Sequence, residues 1–463
     1  MDGDTIISVS TAPGLGAIAM VRVSGPDAGV LLCRLASDLA EVPEPRRATL
    51  VKLQDPDDGS SLDRAVVTFY QGPASYTGEN LVELTCHGGR LVPSLIADAL
   101  MRAGGRQATP GEFTKRAYLR GKLDLVQVEA VADLVEARSR AMHRAALGHL
   151  ERGLSRRITK LREGIVGLEA MLVHHIDFPE EDDPPVPVTR IVDEASWIIK
   201  EIAKMLRTAP EGQLLREGAL TVLAGQPNVG KSSLYNALVG EERAIVTEEP
   251  GTTRDALEVA VQLGGFPFRL VDTAGLRDGG ERIEQLGIEV ARRYLDSADL
   301  VLLCVSAIDR LSVGELAFLS EATDSPVVLV ETKIDLLAKR DVDYEGLGLP
   351  VDMREKLAGH LRVSAMTGEG LDQVKQLLPE LVYSAVVSAQ EEVPVLTRRR
   401  HALALEVALS EVSDFTEALA DGLPAEVAST HLRAAATALE EILGVISVDD
   451  VLDAVFAEFC VGK

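Results

Sequence analysis

The nine residues Gly225–Ser233 (Gly-Gln-Pro-Asn-Val-Gly-Lys-Ser-Ser) constrain the fold more than any other part of the chain. They follow an apolar run, Ala219–Ala224, that predicts a buried strand, and they open a segment with helical character. A strand, then G-x-x-x-x-G-K-S, then a helix is the arrangement of a phosphate-binding loop. In such a loop Lys231 reaches the β- and γ-phosphates and Ser232 binds Mg²⁺. For a lone motif, the alternative is a Gly-containing turn that matches by accident.

Further segments follow in the order that a GTPase requires. Phe268–Val271 predicts a strand that runs into Asp272–Gly275 (Asp-Thr-Ala-Gly). The first residue of that box can hold Mg²⁺ through a water, and the last can offer its N–H to a γ-phosphate. Between this strand and the phosphate loop, Gly251–Asp255 predicts a polar loop from which Thr253 can complete the Mg²⁺ shell.

A guanine-reading box comes next. The predicted strand Val327–Val330 leads into Thr332–Asp335, and the Asp335 carboxylate can accept two hydrogen bonds from guanine that adenine cannot supply. Ser364 and Ala365 are the expected backbone contact to guanine O6. Spacing and order together therefore predict a guanine-nucleotide site. The predicted nucleotide-binding residues are Asn228, Val229, Gly230, Lys231, Ser232, Ser233, Thr247, Thr252, Thr253, Asp272, Thr273, Ala274, Gly275, Lys333, Asp335, Ser364 and Ala365.

Two positions depart from the commonest GTPase pattern. Leu276 stands where Ras-like proteins carry the glutamine that orients the attacking water, so another group must place that water. Thr332 stands where asparagine is commoner, and its hydroxyl can replace only part of an amide's hydrogen bonding. Asp335, which selects guanine, is retained.

Composition indicates a globular protein of several domains. The chain has 463 residues, a formal net charge of −25 and four cysteines without C-x-x-C spacing, which suggests neither a zinc site nor a disulfide framework. No run of 18 apolar residues occurs and the first residues are acidic, so we expect a cytoplasmic protein without membrane contact. The negative charge argues against a surface that grips nucleic acid everywhere. Any RNA contact would have to be local or shared with a basic partner.

The pattern of apolar residues changes along the chain and predicts four segments. Residues 1–120 read as a mixed α/β domain, and residues 121–215 as helical, with a helix at about Thr189–Arg207 and a linker near Ala209–Glu217. Residues 216–382 form the GTPase core, and residues 383–463 are again helical. We therefore expect a GTPase domain inserted into one helical domain. Helices are predicted at about Leu396–Ala420, Ala425–Leu443 and Val448–Phe459.

Two charged residues of the first segment lie in apolar runs that are predicted to form strands. Arg22 lies in Ala17–Val23, and Glu83 lies in Leu81–Thr85. A structural Arg–Glu pair and a ligand site are both open interpretations, because a buried guanidinium needs a partner of either kind. Cys460 also has two interpretations: it is either a small buried residue or part of a tail that is held in a site.

The motifs resemble those of a known family, the tRNA-modification GTPases MnmE (TrmE). The resemblance covers essentially the whole chain, and among GTPases the terminal Cys-x-Gly-Lys together with Leu276 is specific to this family. It is carried by Asp4–Ile6, Arg22–Gly25, Tyr76–Glu79, His87–Gly89, Pro110–Thr114, Lys122–Leu125, the GTPase boxes with Asp272–Arg277, and the terminal Cys460–Lys463.

The resemblance implies a fold and partners. It implies an N-terminal α+β domain similar to tetrahydrofolate-binding enzymes, a helical bundle and an inserted Ras-like P-loop GTPase domain. The N-terminal domain would dimerise and hold 5-formyltetrahydrofolate or methylenetetrahydrofolate through Arg22, Glu83, Lys122 and Lys463. The homodimer would join the FAD-dependent partner MnmG (GidA) in a heterotetramer. Together they would modify certain tRNAs by placing an aminomethyl or carboxymethylaminomethyl group on carbon 5 of the wobble uridine.

The resemblance also implies how GTP is hydrolysed without a glutamine. The GTPase domains of the family pair across the dimer around K⁺, with Mg²⁺ on Ser232 and Thr253. Glu284 would orient the water and Lys231 would act on the phosphates as the second catalytic residue. The predicted K⁺ ligands are Asn228, Thr247, Glu249 and Thr252. Without the resemblance, Glu284 would be read as a solvent-compatible residue at a helix start.

Two classes of function are consistent with these features. One is the modification enzyme, and the other is a regulatory or ribosome-assembly GTPase switch whose output is binding alone. An assembly GTPase would be expected to carry a basic RNA-binding domain, whereas this acidic chain ends in predicted helices.

Overall fold

The computed structural model describes residues 3–177, 186–241, 258–272, 292–320, 325–337, 348–388 and 393–445, together with Leu452, Val455, Phe456, Phe459 and Gly462. No helix within those ranges combines the length and apolar character needed to cross a bilayer. The described chain forms two compact units. The first unit comprises residues 1–132, 149–162 and 439–463, and the second comprises residues 133–148 and 163–438. The predicted domain limits at residues 120, 215 and 382 stay predictions.

The described residues form strands and helices from residue 6 to residue 443. In chain order, the elements are β1 Ile6–Val9, β2 Ile18–Ser24, α1 Ala28–Leu35, β3 Thr49–Gln54, β4 Ser61–Tyr70, β5 Leu81–His87, α2 Val92–Arg102, β6 Arg106–Gln107, α3 Glu112–Leu119, α4 Leu125–Glu136, α5 Arg140–Leu150, α6 Gly153–Asp177, α7 Val188–Leu206, α8 Ala209–Glu217, β7 Ala219–Ala224, α9 Lys231–Glu241, β8 Glu258–Leu263, β9 Phe266–Asp272, β10 Leu300–Ser306, α10 Val313–Ser320, β11 Val327–Thr332, α11 Val351–Arg354, β12 Leu357–Arg362, α12 Leu371–Val382, α13 Ser384–Ser388, α14 Arg399–Ala420 and α15 Ala425–Leu443.

The first unit is built on a six-stranded sheet in the order β3-β4-β5-β2-β1-β6. Neighbouring strands are antiparallel except β1 and β6, which are parallel. In β2 the buried Ala19, Val21 and Val23 alternate with the less buried Met20 and Arg22, so one face of the strand lies on the core. Arg22 points to the other face, directly across from Glu83 in β5. The strands predicted at 17–23 and 81–85 are confirmed as β2 and β5.

A buried ion network holds the edge of this sheet to α3. Arg106 binds both carboxylate oxygens of Glu112 (2.6 and 3.0 Å), and Arg116 and the Thr109 N–H also donate to Glu112. Arg116 bridges onward to Glu79 (3.1 Å). Burial raises the pKa of a carboxyl, but these donors outweigh it and lower the pKa of Glu112 to about 2. The network thus favours the ionised carboxylate.

The network predicts an acid-sensitive first unit. The folded-state pKa of Glu112 lies below its ordinary value of 4.5, so its stabilising contribution is present above pH 4.5 and is lost as pH falls toward about 2. Glu112→Gln should remove that pH dependence and destabilise the unit at pH 7. We expect a loss of about 3 kcal/mol, because several hydrogen bonds to a charged acceptor become bonds to a neutral amide, although Arg106 keeps Asp4 and Arg116 keeps Glu79. Hydrogen exchange of β1 and α3 amides, measured by mass spectrometry, should quicken by about 100-fold.

Glu44→Gln is the matched control, because the Glu44–Arg47 pair in the same unit is exposed and contributes little. Equal exchange rates in the two variants would contradict a stabilising role for the network.

The second unit is built on a mostly parallel sheet in the order β12-β11-β10-β7-β9-β8, with β8 antiparallel to β9. Strands β7, β10 and β11 are buried along their whole length, as expected for parallel strands covered on both faces. The first strand of this sheet in sequence, β7, lies between β9 and β10, so the strand order reverses there. Ligands bind at such a switch point, beyond the carboxyl ends of the strands.

Helices precede and follow the second sheet in sequence. Ile191, Ala195 and Ile198 form the buried face of α7, which packs against α14. The helix predicted at Thr189–Arg207 is confirmed as α7, and Leu396–Ala420 and Ala425–Leu443 are confirmed as α14 and α15. Most of the predicted helix Val448–Phe459 lies outside the described residues.

The predicted linker near Ala209–Glu217 is wrong, because these residues form helix α8. Pro210 lies in the first turn, where a missing N–H is tolerated. Gly212 allows the backbone of Leu396 to approach more closely than a β-carbon would permit. The Glu211 carboxylate accepts the N–H groups of Ala385 and Val386 (2.9 and 2.8 Å). Contacts with residues far along the chain therefore hold a helix that proline and glycine had suggested was a linker.

Candidate functional site

The predicted phosphate loop lies beyond the carboxyl end of β7 and leads into α9. Gly225 (φ +137°) passes so close to the Cys304 carbonyl in β10 that a β-carbon would collide with it. Gly230 (φ +106°) lies against the Thr332 side chain, with 3.2 Å between its β-carbon position and Oγ1. Backbone conformation therefore favours glycine at both positions, and at Gly225 the available space requires it as well. Burial raises the pKa of the Cys304 thiol beneath the loop to about 12, so this thiol is an inert packing group.

Lys231 is buried at the start of α9, inside the arc of the loop. Its Nζ donates to the carbonyl oxygens of Gly225 (2.9 Å) and Gln226 (2.6 Å). These contacts hold a positive charge where the loop N–H groups and the helix dipole also favour a phosphate.

Two predicted Mg²⁺-binding groups meet next to the loop. The Ser232 hydroxyl donates to Asp272 Oδ2 across 2.6 Å, although the residues belong to α9 and β9. Hydroxyl and carboxylate oxygens are the ligands that Mg²⁺ prefers, so this pair fits the ion. Thr253, the other predicted ligand, lies outside the described residues.

The guanine-reading box is fastened to the phosphate loop. Thr332 is buried, and its hydroxyl lies within hydrogen-bond reach of the Val229 carbonyl and of the Val305 carbonyl (3.0 Å). Lys333, at φ +59°, donates from Nζ to the Asn228 carbonyl (2.6 Å). Successive residues of the box thus bind successive carbonyls of the loop, so base recognition and phosphate binding share one rigid frame.

The carboxylate that reads the base is also positioned. Asp335 is exposed, and its Oδ1 accepts a hydrogen bond from the buried Ser364 hydroxyl (2.6 Å). The Ser364 oxygen in turn accepts the Thr367 N–H (3.2 Å). Ala365 follows directly. The predicted guanine contacts Lys333, Asp335, Ser364 and Ala365 therefore lie around one loop edge.

Several predicted site residues are not among those described. They are Thr247, Glu249, Thr252, Thr253, Thr273, Ala274, Gly275, Glu284, Cys460 and Lys463. Of the predicted K⁺ ligands, Asn228 is described: it is exposed on the phosphate loop in the left-handed conformation (φ +63°).

Arg22 and Glu83 form a pair in the first unit. Arg22 Nε lies 2.9 Å from Glu83 Oε1, and Glu83 Oε2 accepts a weak bond from Tyr70 (3.4 Å). The guanidinium lies 6.0 Å from the centre of the Tyr76 ring. Burial and the Glu83 charge raise the pKa of Tyr70, so its hydroxyl stays a donor. The pair is partly exposed and bordered by aromatic rings. Arg22 and Glu83 can therefore form a structural ion pair and also be accessible to a ligand.

The C-terminal tail returns to the same sheet. Ser10, just after β1, donates from its hydroxyl to the Gly462 carbonyl (3.0 Å). Within β1, Ser8 is the register partner of Arg22. Gly462 therefore lies beside β1, the strand that pairs with the strand of Arg22. Lys122, also predicted for this site, donates to the Pro73 carbonyl (3.1 Å).

Sequence reasoning missed the tether from Thr332 to the loop and the tyrosines around Arg22. The only signal for the tether was Thr332 itself, a hydroxyl residue at a position where an asparagine side chain commonly bonds to the phosphate loop. Tyr76 lies within the Tyr-Thr-Gly-Glu motif, but nothing in its spacing points to Arg22.

The fold and the site of the second unit define a P-loop GTP hydrolase. Family models agree with this class over nearly the whole chain: the MnmE helical domain matches residues 125–460, and the GTP-binding protein TrmE N-terminus matches residues 5–122. The chain belongs to the family of tRNA modification GTPases MnmE.

Curated relatives carry that name. The protein of Moorella thermoacetica is 38% identical over 99% of both chains, and that of Heliobacterium modesticaldum is 40% identical over 100% of both. Among solved structures, the G domain of the T. maritima FeoB iron transporter is 29% identical; it covers 35% of this chain and 96% of its own, with a TM-score of 0.24.

Thr332 supplies a test of the shared frame. Thr332→Val keeps the shape of the side chain but removes the hydroxyl donor, so we expect GDP and GTP affinity to fall about five-fold, for about 1 kcal/mol per hydrogen bond. Thr332→Ser keeps the hydroxyl and should bind nearly as wild type. Selectivity for guanine over adenine should persist in both, because Asp335 is intact. Calorimetric titration measures these affinities, and an unchanged affinity in the valine variant would show that the tether does not matter.

Proposed function

We propose that this chain hydrolyses GTP to drive modification of tRNA at carbon 5 of the wobble uridine. It acts as a cytoplasmic homodimer in a heterotetramer with the FAD-dependent partner MnmG. The relatives' name, tRNA modification GTPase, supports the tRNA substrate. The observation that carries the proposal is a second polar site: Arg22, Glu83 and the C-terminal Gly462 gather on one sheet of the first unit, apart in sequence from the nucleotide residues. A switch whose output is binding alone has no need of such a site.

The nucleotide site performs its part through positioned groups. Lys231 and the loop N–H groups hold the phosphates, and Asp335 selects guanine while Ser364 holds its carboxylate. Ser232 and Asp272 would hold Mg²⁺, which neutralises charge on the phosphates when bound. Because Leu276 cannot orient water, Glu284 takes that role in this proposal.

K⁺ is proposed as the second ion of the site, together with pairing of two GTPase domains. The exposed Asn228 amide offers an oxygen ligand beside the phosphates, which fits a monovalent cation. Thr247, Glu249 and Thr252 would supply the remaining oxygens. When bound, the ion contributes a positive charge where other GTPases place an arginine.

The first unit is proposed to hold the folate that supplies one carbon, as 5-formyl- or methylenetetrahydrofolate. Glu83 is a partly exposed acceptor for the N–H groups of a pterin edge, and the Tyr76 ring lies near the Arg22 guanidinium. Arg22, Lys122 and Lys463 provide cations for a ligand with a dianionic tail. Cys460 lies in the same tail, without an assigned role.

The K⁺ proposal predicts a salt effect on turnover. GTP hydrolysis should be about ten-fold faster in KCl than in NaCl at equal ionic strength, which corresponds to about 1.4 kcal/mol of transition-state stabilisation. Asn228→Ala should abolish this difference. Asn236→Ala, an exposed asparagine in α9, is the control and should keep it. Equal wild-type rates in both salts would overturn the K⁺ model.

The tail gives the test of the modification function. Removal of residues 461–463 should abolish wobble-uridine modification while GTP affinity and hydrolysis stay at wild-type values, because the nucleotide residues lie in the second unit. Mass spectrometry of tRNA nucleosides from a deletion strain carrying the truncated or the full-length chain measures this. Normal modification in the strain lacking the chain entirely would refute the proposed function. Normal modification with the truncated chain would refute only the role of the tail.

A further inference from the structure

Three side chains of the kind that bind metal ions lie together in the second unit, and none of them belongs to the nucleotide site. Glu411 and Asp414 are residues of α14, and His431 is a residue of α15. Their ligand atoms, two carboxylate oxygens and one ring nitrogen, all lie within 4.8 Å of one another. Within the described ranges, no other three His, Cys, Asp or Glu side chains come as close.

The short connection between α14 and α15 brings these side chains together. Asp414 lies six residues before the end of α14 at Ala420, and His431 lies six residues after the start of α15 at Ala425. Because four residues join the two helices, α15 turns back along α14, and positions at equal distance from the connection become neighbours. Glu411 lies one turn earlier than Asp414 on the same helix face. Its Oε2 is 2.7 Å from His431 Nδ1, as this arrangement requires.

The cationic residues of the two helices do not neutralise these carboxylates. From His401 to Ala420, α14 carries four acidic residues and no Lys or Arg. The single cationic residue of α15, Arg433, donates to Glu169 (2.9 Å). Asp414 forms no ion pair with any residue that the structure describes. Carboxylates one turn apart repel each other, so their placement beside an imidazole favours a bound cation.

The spacing of the ligand atoms suits a six-coordinate ion. Bonds of about 2.1 Å from an ion to nitrogen and oxygen place neighbouring ligands about 3 Å apart. The separation of 2.7 Å between His431 and Glu411 is close to that value. Asp414 is exposed, so a rotation of its side chain can bring its oxygen to the same ion. Glu411 and His431 are partly exposed, which leaves the other positions of the ion to water.

The donor atoms select the class of ion. Carboxylate oxygens alone suit Mg²⁺ or Ca²⁺, whereas an imidazole nitrogen suits zinc, iron, nickel and copper. No thiolate is part of the group, so a soft ion such as Cu⁺ is not favoured. One imidazole with two carboxylates therefore prefers a divalent transition ion to the Mg²⁺ expected at the phosphate loop.

We propose that Glu411, Asp414 and His431 form a binding site for one divalent transition ion, of which Zn²⁺ is the type. The ion offsets the repulsion between the two carboxylates and bonds to ligands from both helices. It therefore stabilises the pairing of α14 with α15 when it is bound. The inference is independent of the proposed tRNA chemistry, because it uses none of the residues assigned to that function.

The test measures Zn²⁺ binding to the full-length protein by calorimetric titration. GDP and excess Mg²⁺ are present, so that the phosphate loop is already occupied. Asp414→Asn and His431→Gln each remove one ligand. Two matched controls leave the site intact: Glu406→Gln removes an exposed carboxylate of α14, and His143→Gln removes an exposed imidazole of the same unit. The cysteines are the same in all variants, so Zn²⁺ bound at a thiol does not affect the comparison.

Wild-type protein should bind one Zn²⁺ that excess Mg²⁺ does not displace. Loss of a group that only supports a ligand weakens metal binding by about 10–100-fold, so loss of a ligand itself should weaken it by about 100-fold or more. The controls should bind within about two-fold of wild type, because exposed charges outside the site contribute little. GTP hydrolysis should be unchanged in all four variants, which would establish that they are folded.

Hydrogen exchange, measured by mass spectrometry, locates the ion. Zn²⁺ should slow exchange of α14 and α15 amides in wild type and in the controls, but not in the two ligand variants. Equal Zn²⁺ affinity in wild type and the ligand variants would overturn the site, as would Zn²⁺ binding that leaves exchange in both helices unchanged. Displacement by Mg²⁺ would reduce the group to a nonspecific acidic patch. Absence of Zn²⁺ binding in wild type would leave only the His431–Glu411 hydrogen bond and would also overturn the inference.

Discussion

The close approach of the phosphate loop to two neighbouring strands is the constraint on which the nucleotide site depends. Gly225 passes over the Cys304 carbonyl in β10, and Gly230 lies against Thr332 in β11. A β-carbon would collide with the backbone at Gly225 and crowd the Thr332 side chain at Gly230, so both contacts restrict where the loop can lie on the sheet. The tethers from Thr332 and Lys333 then connect base recognition to that same position. A change in the position of the phosphate loop should therefore also move the guanine-reading residues.

The two units are stabilised in different ways that suit different ligands. The second unit buries apolar parallel strands and brings its polar groups to their carboxyl ends, where a phosphate ligand displaces water from backbone donors. The first unit carries charged side chains within its sheet and at its edge. Glu112, Arg116 and Glu79 form a closed buried network, whereas Arg22 and Glu83 remain partly exposed. The closed network serves the fold, and the open pair is the one that can exchange its partner for a ligand.

Local patterns in the sequence predicted a large part of this structure. The strand before the phosphate loop and helix α15 were predicted with the observed bounds, because apolar runs and helical periodicity are local signals. Helix α8 was misread, since proline and glycine in Ala209–Glu217 are compatible with a helix that residues about 170 positions later support. The Thr332 tether was missed for the same reason, because its acceptor is 103 residues away. The roles of Glu284 and the other residues outside the described ranges stay predictions.

The first unit joins segments that lie far apart in the sequence. Ser10 contacts Gly462 across 452 residues, and Tyr118 donates to the Gly444 carbonyl across 326. During synthesis these contacts cannot form until the ribosome has made Gly444 and Gly462, whereas the strands of the second unit emerge earlier. Until then, the part of the first sheet that these residues contact stays uncovered. Contacts of such high sequence separation also form slowly. The order of translation thus lets the sheet of the second unit form before the first unit is complete.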